Sequence, residues 1–294
     1  MNNKTINLYI IGYKGFKVLK SIPKNYFALI KNVISSNDIG VAENYYEDIK
    51  NFCHTHSIQF FARNEFLNDN SEYSIAISWK WLIKKTTGKT IVLHDSILPK
   101  YRGFNPLVSY LINAEKEIGV TAIFASEKYD EGNIIAVSKI SISYPIKIND
   151  AIKKISECYI ELFNQIIGSI HNNKVLGSYP QNNTESTYSL WRNESDYNIN
   201  WSQSASKIKR FIDAVGHPYM GALTHSENVG IRVIDSLEVT DVSIENRTPG
   251  KVIFIEDGYP IIVCGKGLLK LISANIDGTK TSILPFKKIR TQFT

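Results

Sequence analysis

The first half of the chain alternates between short apolar runs and segments in which apolar residues recur at helical spacing. This order of strand, helix and strand is typical of an α/β domain built on a largely parallel, Rossmann-like sheet. The strand-like runs are Thr5–Ile11, Phe27–Ile34, Ile58–Phe61, Tyr73–Ser78, Thr90–Leu93, Gly119–Ser126 and Ile134–Ile142. The helix-like segments are Glu43–His54, Pro106–Ala114 and the stretch that follows the loop Gly12-Tyr13-Lys14-Gly15 and runs up to Pro23. We expect ligand-binding residues at the carboxyl ends of the strands.

The pattern changes in the second half of the chain. Asp150–Ile170 has helical spacing with Asn149 as its predicted N-cap, and a polar stretch, Asn172–Asn198, is predicted to be a linker or arm. An amphipathic helix over Ser202–Val215 is followed by short strands between turn residues. Those strands are Val229–Val233, Lys251–Ile255, Pro260–Val263 and Leu268–Ile272. We therefore predict a first domain over residues 1–198 and a small β-rich, OB-like domain over residues 199–294.

Composition narrows the class of protein. With 43% hydrophobic and 21% charged residues, the chain can bury a large core. It has no apolar run near the roughly 20 residues that cross a bilayer, and its start does not resemble a secretion signal. We expect a cytoplasmic protein without membrane contact. The three cysteines are far apart, and Cys53-His54-Thr55-His56 has no second ligand cluster, so no metal site is expected.

Charge and glycine spacing say little about the ligand. The net charge of +6 is spread along the chain, which suits a small phosphorylated ligand at least as well as a nucleic acid. The loop Gly12-Tyr13-Lys14-Gly15 lacks the third glycine of a dinucleotide fingerprint, and no acidic residue closes the next strand. NAD binding is therefore not expected, whereas approach of this loop to another ligand and a simple tight turn are both compatible with the sequence.

Candidate chemistry is concentrated between residues 90 and 135. His94 ends an apolar strand, and Asp130 lies in an acidic turn before the strand-like run that begins at Ile134. If the two side chains meet, the carboxylate would orient the imidazole and raise its basicity. Spacing alone is equally compatible with a capped histidine and a surface aspartate. Ser96 lacks the glycine elbow of a nucleophilic serine, so a hydrolase triad is not expected.

The sequence of this region also resembles that of a known protein family. The stretches LHDSILPKYRGFNPL and GVTAIFASEKYDEGNII resemble the formyltransferases that use N10-formyltetrahydrofolate. The matching positions are His94, Ser96, Leu98, Pro99, Arg102, Gly103, Gly119, Val120, Thr121, Asp130 and Gly132. The resemblance implies an enzyme that transfers a formyl group to an amine, with His94 and Asp130 as catalytic residues. The family's asparagine two residues before the histidine is Val92 here. The candidate replacements for its oxyanion-stabilising amide are Asn105, Asn133, backbone amides and protonated His94.

The resemblance also implies binding residues. The pterin of the folate is expected at the loop Ser78-Trp79-Lys80-Trp81, where the tryptophan side chains are alternatively core anchors. The expected folate-binding residues are Ser78, Trp79, Trp81, Ser96, Leu98 and Gly132. The expected substrate-binding residues are Tyr13, Lys14, Lys80, Arg102 and Tyr219, with Lys80 and Arg102 neutralising a diphosphate.

The choice of amine acceptor rests on one segment. The family includes enzymes for initiator methionyl-tRNA, for glycinamide ribonucleotide and for nucleotide-linked amino sugars. Ser35–Asp48, which matches the basic loop of the tRNA enzymes, has four acidic residues and no basic one. An acidic loop beside phosphates is electrostatically unfavourable. We therefore expect a homodimeric nucleotide-sugar N-formyltransferase that acts on a dTDP-linked 3- or 4-amino dideoxy sugar for O-antigen lipopolysaccharide and binds no nucleic acid. The alternatives are a methionyl-tRNA formyltransferase, a non-catalytic nucleotide-sugar or folate-binding homologue, and a hydrolase of the folate.

Overall fold

The structure is a computed structural model that describes residues 4–67, 70–83 and 88–294. The chain divides into two compact units. The first unit comprises Met1–Leu107, Lys116–Ile142 and Asp150–Leu190. The second unit comprises Val108–Glu115, Ser143–Asn149 and Trp191–Thr294.

A seven-stranded mixed sheet forms the centre of the first unit. In chain order the strands of this unit are β1 (Ile6–Ile10), β2 (Ile30–Ser35), β3 (Gln59–Ala62), β4 (Tyr73–Ile77), β5 (Lys89–His94), β6 (Arg102–Gly103), β7 (Glu117–Phe124), β8 (Ile134–Ser141) and β9 (Tyr188–Ser189). The sheet order is β3-β2-β1-β4-β5-β7-β8. The first five of these strands are parallel, and β5, β7 and β8 pair antiparallel. The predicted α/β class with a largely parallel sheet is confirmed.

The observed helices correct several of the predicted boundaries. The helices are α1 (Gly12–Ser21), α2 (Tyr46–Thr55), α3 (Pro106–Ile112), α4 (Ile148–His171) and α5 (Ala205–Val215). Because α4 begins at Ile148, Asn149 lies inside the helix and is not its N-cap. The first part of the predicted strand Phe27–Ile34 is instead a 3-10 helix over Lys24–Leu29, which starts directly after Pro23. Proline fixes φ near −65°, the value that a tight helical turn needs at its start.

Apolar side chains on the sheet explain why these strands form. All residues of β1 and β4 are buried. On one face Tyr9, Ile34 and Ala76 form a buried cluster, and Val92 packs against it. Val92 also packs against a second cluster of Leu98, Ile123 and Ile134. Burying each such aliphatic side chain contributes about 1.5–3 kcal/mol, so the sheet position of β5 is fixed by apolar contacts on both sides of Val92.

The second unit is built on a five-stranded antiparallel sheet. Its strands are β10 (Ala222–Ser226), β11 (Val229–Val239), β12 (Val252–Glu256), β13 (Tyr259–Val263) and β14 (Leu268–Ile276), in the order β10-β11-β14-β13-β12. The β-rich character predicted for this part is confirmed. β10 was not predicted, and β11 continues six residues beyond Val233 with an irregular register near Asp235. Such a bulge breaks the two-residue periodicity that signals a strand.

The polar stretch over residues 172–198 is not a free linker. Backbone hydrogen bonds join Tyr179 to Ile134 in both directions, at 2.8 and 2.9 Å. β9 pairs with β6, and 3-10 helices occur over Asn183–Glu185 and Glu194–Tyr197. Most residues of the stretch are exposed, as its polarity suggests, and hydrogen bonds such as those from Gln181 to the carbonyl oxygens of Asp130 and Gly132 hold it in place. Within the described ranges, no helix has the length and apolar character needed to cross a membrane.

Candidate active site

The structure brings His94 and Asp130 together. His94 is the last residue of β5, and its side chain is 8% exposed. Its Nδ1 lies 3.6 Å from Oδ1 of Asp130, and its Nε2 lies 3.0 Å from the carbonyl oxygen of Tyr101. The predicted contact between the two side chains is therefore present in the geometry, and their catalytic role stays a prediction.

The carboxylate of Asp130 is held by backbone. Asp130 has φ +55°, a left-handed conformation that aspartate tolerates better than most residues. The amide of Gly103 donates to Oδ2 at 2.8 Å. This hydrogen bond occupies one carboxylate oxygen and turns the other, Oδ1, toward His94.

The partners of the imidazole restrict its hydrogen positions. The Tyr101 carbonyl and the Asp130 carboxylate are both acceptors, so each ring nitrogen of His94 faces an acceptor. A doubly protonated ring satisfies both contacts, whereas a neutral ring satisfies one. The site is therefore suited to a positive charge on His94 during a reaction.

Arg102 is an internal residue and not a surface cation. It is 1% exposed. Its Nε and one terminal nitrogen donate to Gln181 Oε1 at 3.1 and 2.7 Å, and that terminal nitrogen also donates to Asn183 Oδ1 at 2.7 Å. The other terminal nitrogen is 3.6 Å from Glu131. These contacts give Arg102 protein partners, so we leave it out of the proposed diphosphate contacts.

The predicted loop Gly12-Tyr13-Lys14-Gly15 is instead the first turn of α1, and its two predicted binding residues contact different groups. Lys14 forms an ion pair with Asp95, the residue after His94, and its Nζ lies 5.6 Å from the ring centroid of Tyr159. The hydroxyl of Tyr159 donates to the same carboxylate. Tyr13 packs edge-to-face on Tyr45, with ring centroids 5.5 Å apart. Lys14 thus lies next to the end of β5, its charge is balanced by Asp95, and the substrate contact predicted for it stays a prediction.

Lys80 and Tyr219 are placed separately. Lys80 is half-exposed and pairs with Asp38 at 2.5 Å, so it contacts the acidic segment Ser35–Asp48. Tyr219 belongs to the second unit, where its amide donates to the Gly216 carbonyl at 2.9 Å. The substrate contacts predicted for both residues stay predictions.

The loop after β4 carries unpaired polar atoms. Ser78 follows β4 with φ +55°. Among the described residues, Ser78 Oγ, Trp79 Nε1 and Ser96 Oγ are buried and lack a hydrogen-bond partner. Buried polar atoms without partners cost free energy, so their grouping after β4 and β5 marks a place where a polar ligand would restore the missing bonds.

Contacts of the tryptophan rings favour the core-anchor alternative for Trp79. Its ring packs on Tyr9 and Trp81, with centroid distances of 5.2 and 5.1 Å. It also packs against the buried cluster that includes Tyr9. The guanidinium of Arg63 lies 4.7 Å from the ring centroid of Trp81. Both rings are therefore stabilised by neighbouring side chains.

Leu98 and Gly132 have clear structural roles. Leu98 is buried in an apolar cluster, and its amide donates to Thr121 Oγ1 at 3.1 Å. A Cβ on Gly132 would lie 1.7 Å from the carbonyl oxygen of Phe124, which leaves no room for a side chain. Asn105, the predicted oxyanion donor, directly precedes α3 with φ +49° and is half-buried. The folate and oxyanion roles of these residues stay predictions.

Several contacts of the site were not predicted from the sequence. Tyr101 supplies the carbonyl that faces His94, and Gln181 holds Arg102. Thr121 donates to the Ser96 carbonyl at 2.6 Å. Phe104 and Tyr129, which adjoin Gly103 and Asp130 in sequence, are both exposed and have ring centroids 6.4 Å apart. Thr121 was signalled by the Gly-Val-Thr motif, whereas Gln181 is one of many polar residues in its stretch.

The described residues offer little for metal or thiol chemistry. They contain no group of three or more histidine, cysteine or acidic side chains placed to hold a metal ion. Burial raises the pKa of both Cys53 and Cys264 to about 12. Thiols with such a pKa are protonated at neutral pH and are poor nucleophiles.

Comparison with known proteins identifies the family. Residues 72–165 match the formyl transferase family, and residues 193–285 match the formyl transferase C-terminal domain. Together the two matches cover more than half of the chain and include both His94 and Asp130. The chain therefore belongs to the formyltransferase family, as its resemblance implied.

Individual relatives differ in what they act on. The chain is 27% identical to the bifunctional polymyxin resistance protein ArnA of Wigglesworthia glossinidia brevipalpis, over 95% of this chain and 43% of that protein. It is 29% identical to the methionyl-tRNA formyltransferase of Alkaliphilus oremlandii, over 65% of this chain and 60% of that enzyme. The chain thus spans less than two thirds of the length of these relatives.

A solved structure shares the fold. It is that of WlaRD, a sugar 3N-formyl transferase, in the presence of dTDP and 5-N-formyl-THF. Its TM-score to this chain is 0.65 at 23% sequence identity, and the match covers 92% of this chain and 97% of that one. The similarity extends over nearly the whole length of both chains.

Proposed function

We propose that this protein transfers the formyl group of N10-formyltetrahydrofolate to the amine of a nucleotide-linked amino sugar. The observation that carries the proposal is the His94–Asp130 pair at the end of β5, in a chain of the formyltransferase family. An amine needs to lose a proton as it becomes an amide, and a positioned histidine with a carboxylate partner is suited to that transfer.

The reaction exchanges one carbon–nitrogen bond for another. The amine nitrogen bonds to the formyl carbon, and the bond from that carbon to N10 of the folate breaks. The proton that the amine loses balances the proton that N10 gains. His94 accepts the amine proton or, once protonated, stabilises the negative oxygen of the tetrahedral intermediate. Asp130 stabilises the positive charge on the ring, and the Tyr101 carbonyl fixes the ring's orientation.

The residues after β4 and β5 fit the formyl donor. Ser78 Oγ, Trp79 Nε1 and Ser96 Oγ are buried without partners among the described residues. A pterin carries several hydrogen-bond donors and acceptors on one edge and would satisfy groups of this kind. The folate supplies the activated formyl group, and we assign its binding to this loop and to the backbone beside Leu98 and Gly132.

Charge in the segment Ser35–Asp48 supports a small acceptor. The segment has four acidic residues and no basic one, and one of the four, Asp38, is paired with Lys80. Uncompensated carboxylates would repel the phosphates of a tRNA acceptor stem. A nucleoside diphosphate sugar presents only two phosphates, which Lys14 and the half-exposed Lys80 would neutralise by exchanging their carboxylate partners.

The particular acceptor is a finer part of the proposal. WlaRD, which has the same fold, is described as a sugar 3N-formyl transferase with dTDP present. We accordingly propose a dTDP-linked 3- or 4-amino dideoxy sugar destined for O-antigen lipopolysaccharide. The expected homodimer and cytoplasmic location stay predictions of the same hypothesis.

Methionyl-tRNA is the second candidate acceptor. The chain is 29% identical to a methionyl-tRNA formyltransferase over 190 residues. The two hypotheses share the donor and the His94–Asp130 chemistry and differ only in the amine.

One assay separates these hypotheses. Release of tetrahydrofolate is measured with N10-formyltetrahydrofolate alone and with a panel of dTDP-, UDP- and GDP-linked amino sugars or methionyl-tRNA. The proposal expects release only when an amino-sugar nucleotide is present, with a formamide product seen by mass spectrometry. Efficient formylation of methionyl-tRNA alone would overturn the acceptor assignment. Release without any amine would indicate a hydrolase, and no release with any acceptor would indicate a binding protein.

A further inference from the structure

We propose that Gln181, in the stretch between α4 and β9, is a positioning residue for the His94–Asp130 pair. The inference rests on the proposed function, because the pair it positions is the one assigned to formyl transfer. Gln181 contacts neither side chain of the pair. It acts through the backbone of the Asp130 turn and through the buried side chain of Arg102.

The side-chain amide of Gln181 uses its full bonding capacity. Its Nε2 donates to the carbonyl oxygens of Asp130 and Gly132, at 2.7 and 2.8 Å. Its Oε1 accepts from Nε and a terminal nitrogen of Arg102, at 3.1 and 2.7 Å. An amide has two N–H donors and one oxygen with two lone pairs, so all four bonds are formed. Because a guanidinium only donates and a carbonyl only accepts, the orientation of the amide is unambiguous.

These bonds close a ring around Asp130. The ring runs from the Asp130 carbonyl through Gln181 to the Arg102 side chain. It continues along the chain to Gly103, whose amide donates to the Asp130 carboxylate at 2.8 Å. Asp130 is thus held at both its backbone and its side chain. The left-handed φ of +55° at Asp130 needs such external support, since it is unfavourable for a residue with a Cβ.

The segment Tyr101-Arg102-Gly103 also links Gln181 to His94. The carbonyl oxygen of Tyr101 lies 3.0 Å from Nε2 of His94. The side chain of Arg102 donates to Gln181, and the amide of Gly103 donates to the carboxylate of Asp130. Consecutive residues of one short segment therefore contact both members of the pair. A shift of Arg102 would move the carbonyl on one side of it and the amide on the other.

Burial makes the contact with Gln181 costly to lose. Arg102 is 1% exposed, and a buried guanidinium without acceptors carries a large desolvation penalty. Arg102 also donates to Asn183 at 2.7 Å and lies 3.6 Å from Glu131, so its two shortest contacts are those to Gln181 and Asn183. Loss of the Gln181 oxygen would therefore force the Arg102 segment to rearrange.

The test compares Gln181→Met with the exposed control Gln165→Met on α4. Methionine keeps the length of glutamine without its hydrogen bonds. We expect kcat to fall by about 10- to 100-fold, since a displacement near 1 Å at a catalytic group has an effect of that order. KM for either substrate should change by less than about threefold, and the control should retain the wild-type values. If Gln181→Met does not fold, Gln181→Glu, which keeps the acceptors for Arg102 and loses both donors, is measured instead with the same expectation.

A double-mutant cycle distinguishes positioning from a general structural role. If Gln181 acts through Asp130, then Gln181→Met should cost less than about twofold further in an Asp130→Asn background. A loss of the same factor in both backgrounds would overturn the inference, as would an unchanged kcat in a folded Gln181→Met variant. A change confined to KM would also overturn it.

A measurement without turnover keeps the inference separate from the proposed function. The nitrogen and proton signals of the His94 ring, assigned by comparison with His94→Asn, are recorded by NMR for the substrate-free protein. Gln181→Met should shift these signals and Gln165→Met should not. If the wild-type protein formylates no acceptor, the proposed function fails and the NMR comparison still decides the positioning inference. Unshifted His94 signals in folded Gln181→Met would refute it.

Discussion

At the scale of single residues, the site is defined by acceptors arranged around one imidazole. His94 has a carboxylate 3.6 Å from Nδ1 and a carbonyl 3.0 Å from Nε2. Because both atoms are acceptors, a ring that has taken a proton from an amine can direct one N–H to each of them. To take that proton at Nε2, His94 has to give up its contact with Tyr101, so small ring movements belong to the proposed reaction.

Removal of either member of the pair should abolish most of the activity. We expect His94→Asn and Asp130→Asn each to lower kcat by at least about 100-fold, because a positioned acid–base group contributes about 10²- to 10⁴-fold. Steady-state kinetics with the amino-sugar nucleotide found in the acceptor panel measure the effect. Circular dichroism checks that the variants fold.

The exposed histidine His54 provides the matched control. Its side chain lies on the surface of α2, so His54→Asn should have wild-type kinetics. Near-full activity of a correctly folded His94→Asn variant at neutral pH would show that the assigned chemistry is wrong.

At the scale of elements, the connection between β7 and β8 has to place Asp130 while passing close to other backbone. Gly132 lies so near the end of β7 that an added Cβ would sit 1.7 Å from the Phe124 carbonyl oxygen. The Phe124 amide also bonds to the Asn133 carbonyl at 3.0 Å, which fixes this approach. A glycine is therefore required two residues after Asp130 for a steric reason.

Gly132→Ala should accordingly impair both stability and activity. We expect a loss of about 1–3 kcal/mol in the free energy of unfolding, the usual cost of forcing extra atoms into packed structure. A fall in kcat should accompany it, because relief of the clash moves Asp130. Gly177→Ala is the control, since a Cβ there meets nothing within 4 Å. Urea denaturation of both variants measures the difference, and equal stabilities would contradict the steric argument.

The elements that were predictable from the sequence are those that bury an apolar face. The sequence runs that correspond to β1, β4, β5 and β7 are almost continuously apolar. They are apolar because these strands are largely buried, so the pattern predicts them. β6 and β9 are two residues each and have no periodicity to detect. The 172–198 stretch was predicted only as a linker or arm, because the hydrogen bonds that hold it in place leave no apolar periodicity in the sequence.

The same distinction applies to the site. His94 and Asp130 were found because a motif with fixed spacings surrounds them. Arg102 was in that motif too, but the sequence did not show that its partner is Gln181, 79 residues away. A polar side chain that bonds to carbonyls across the fold leaves no local pattern, so contacts of this kind become visible only in three dimensions.

At the scale of the whole molecule, the distribution of charge matters more than its sum. The net charge of +6 gives a weak attraction for anions in general. The acidic segment Ser35–Asp48 opposes this attraction locally. The two lysines expected to bind phosphate are also already paired with carboxylates, Lys14 with Asp95 and Lys80 with Asp38. A polyanion would need many free cations along an extended surface, whereas a diphosphate needs only one or two.

Salt dependence of acceptor binding tests this view of the molecule. Between about 50 and 200 mM KCl, KM for the acceptor should rise by tenfold or less, whereas an acceptor held by six to ten phosphate contacts would weaken by about 10³- to 10⁵-fold. The reason is that each neutralised phosphate adds to the salt dependence, and the proposed acceptor has two. Initial rates are measured at several acceptor concentrations for each salt concentration, with thermal unfolding recorded alongside to separate binding from stability. A rise of a hundredfold or more in KM, with the fold intact, would show that the protein contacts many phosphates and would favour methionyl-tRNA as the acceptor.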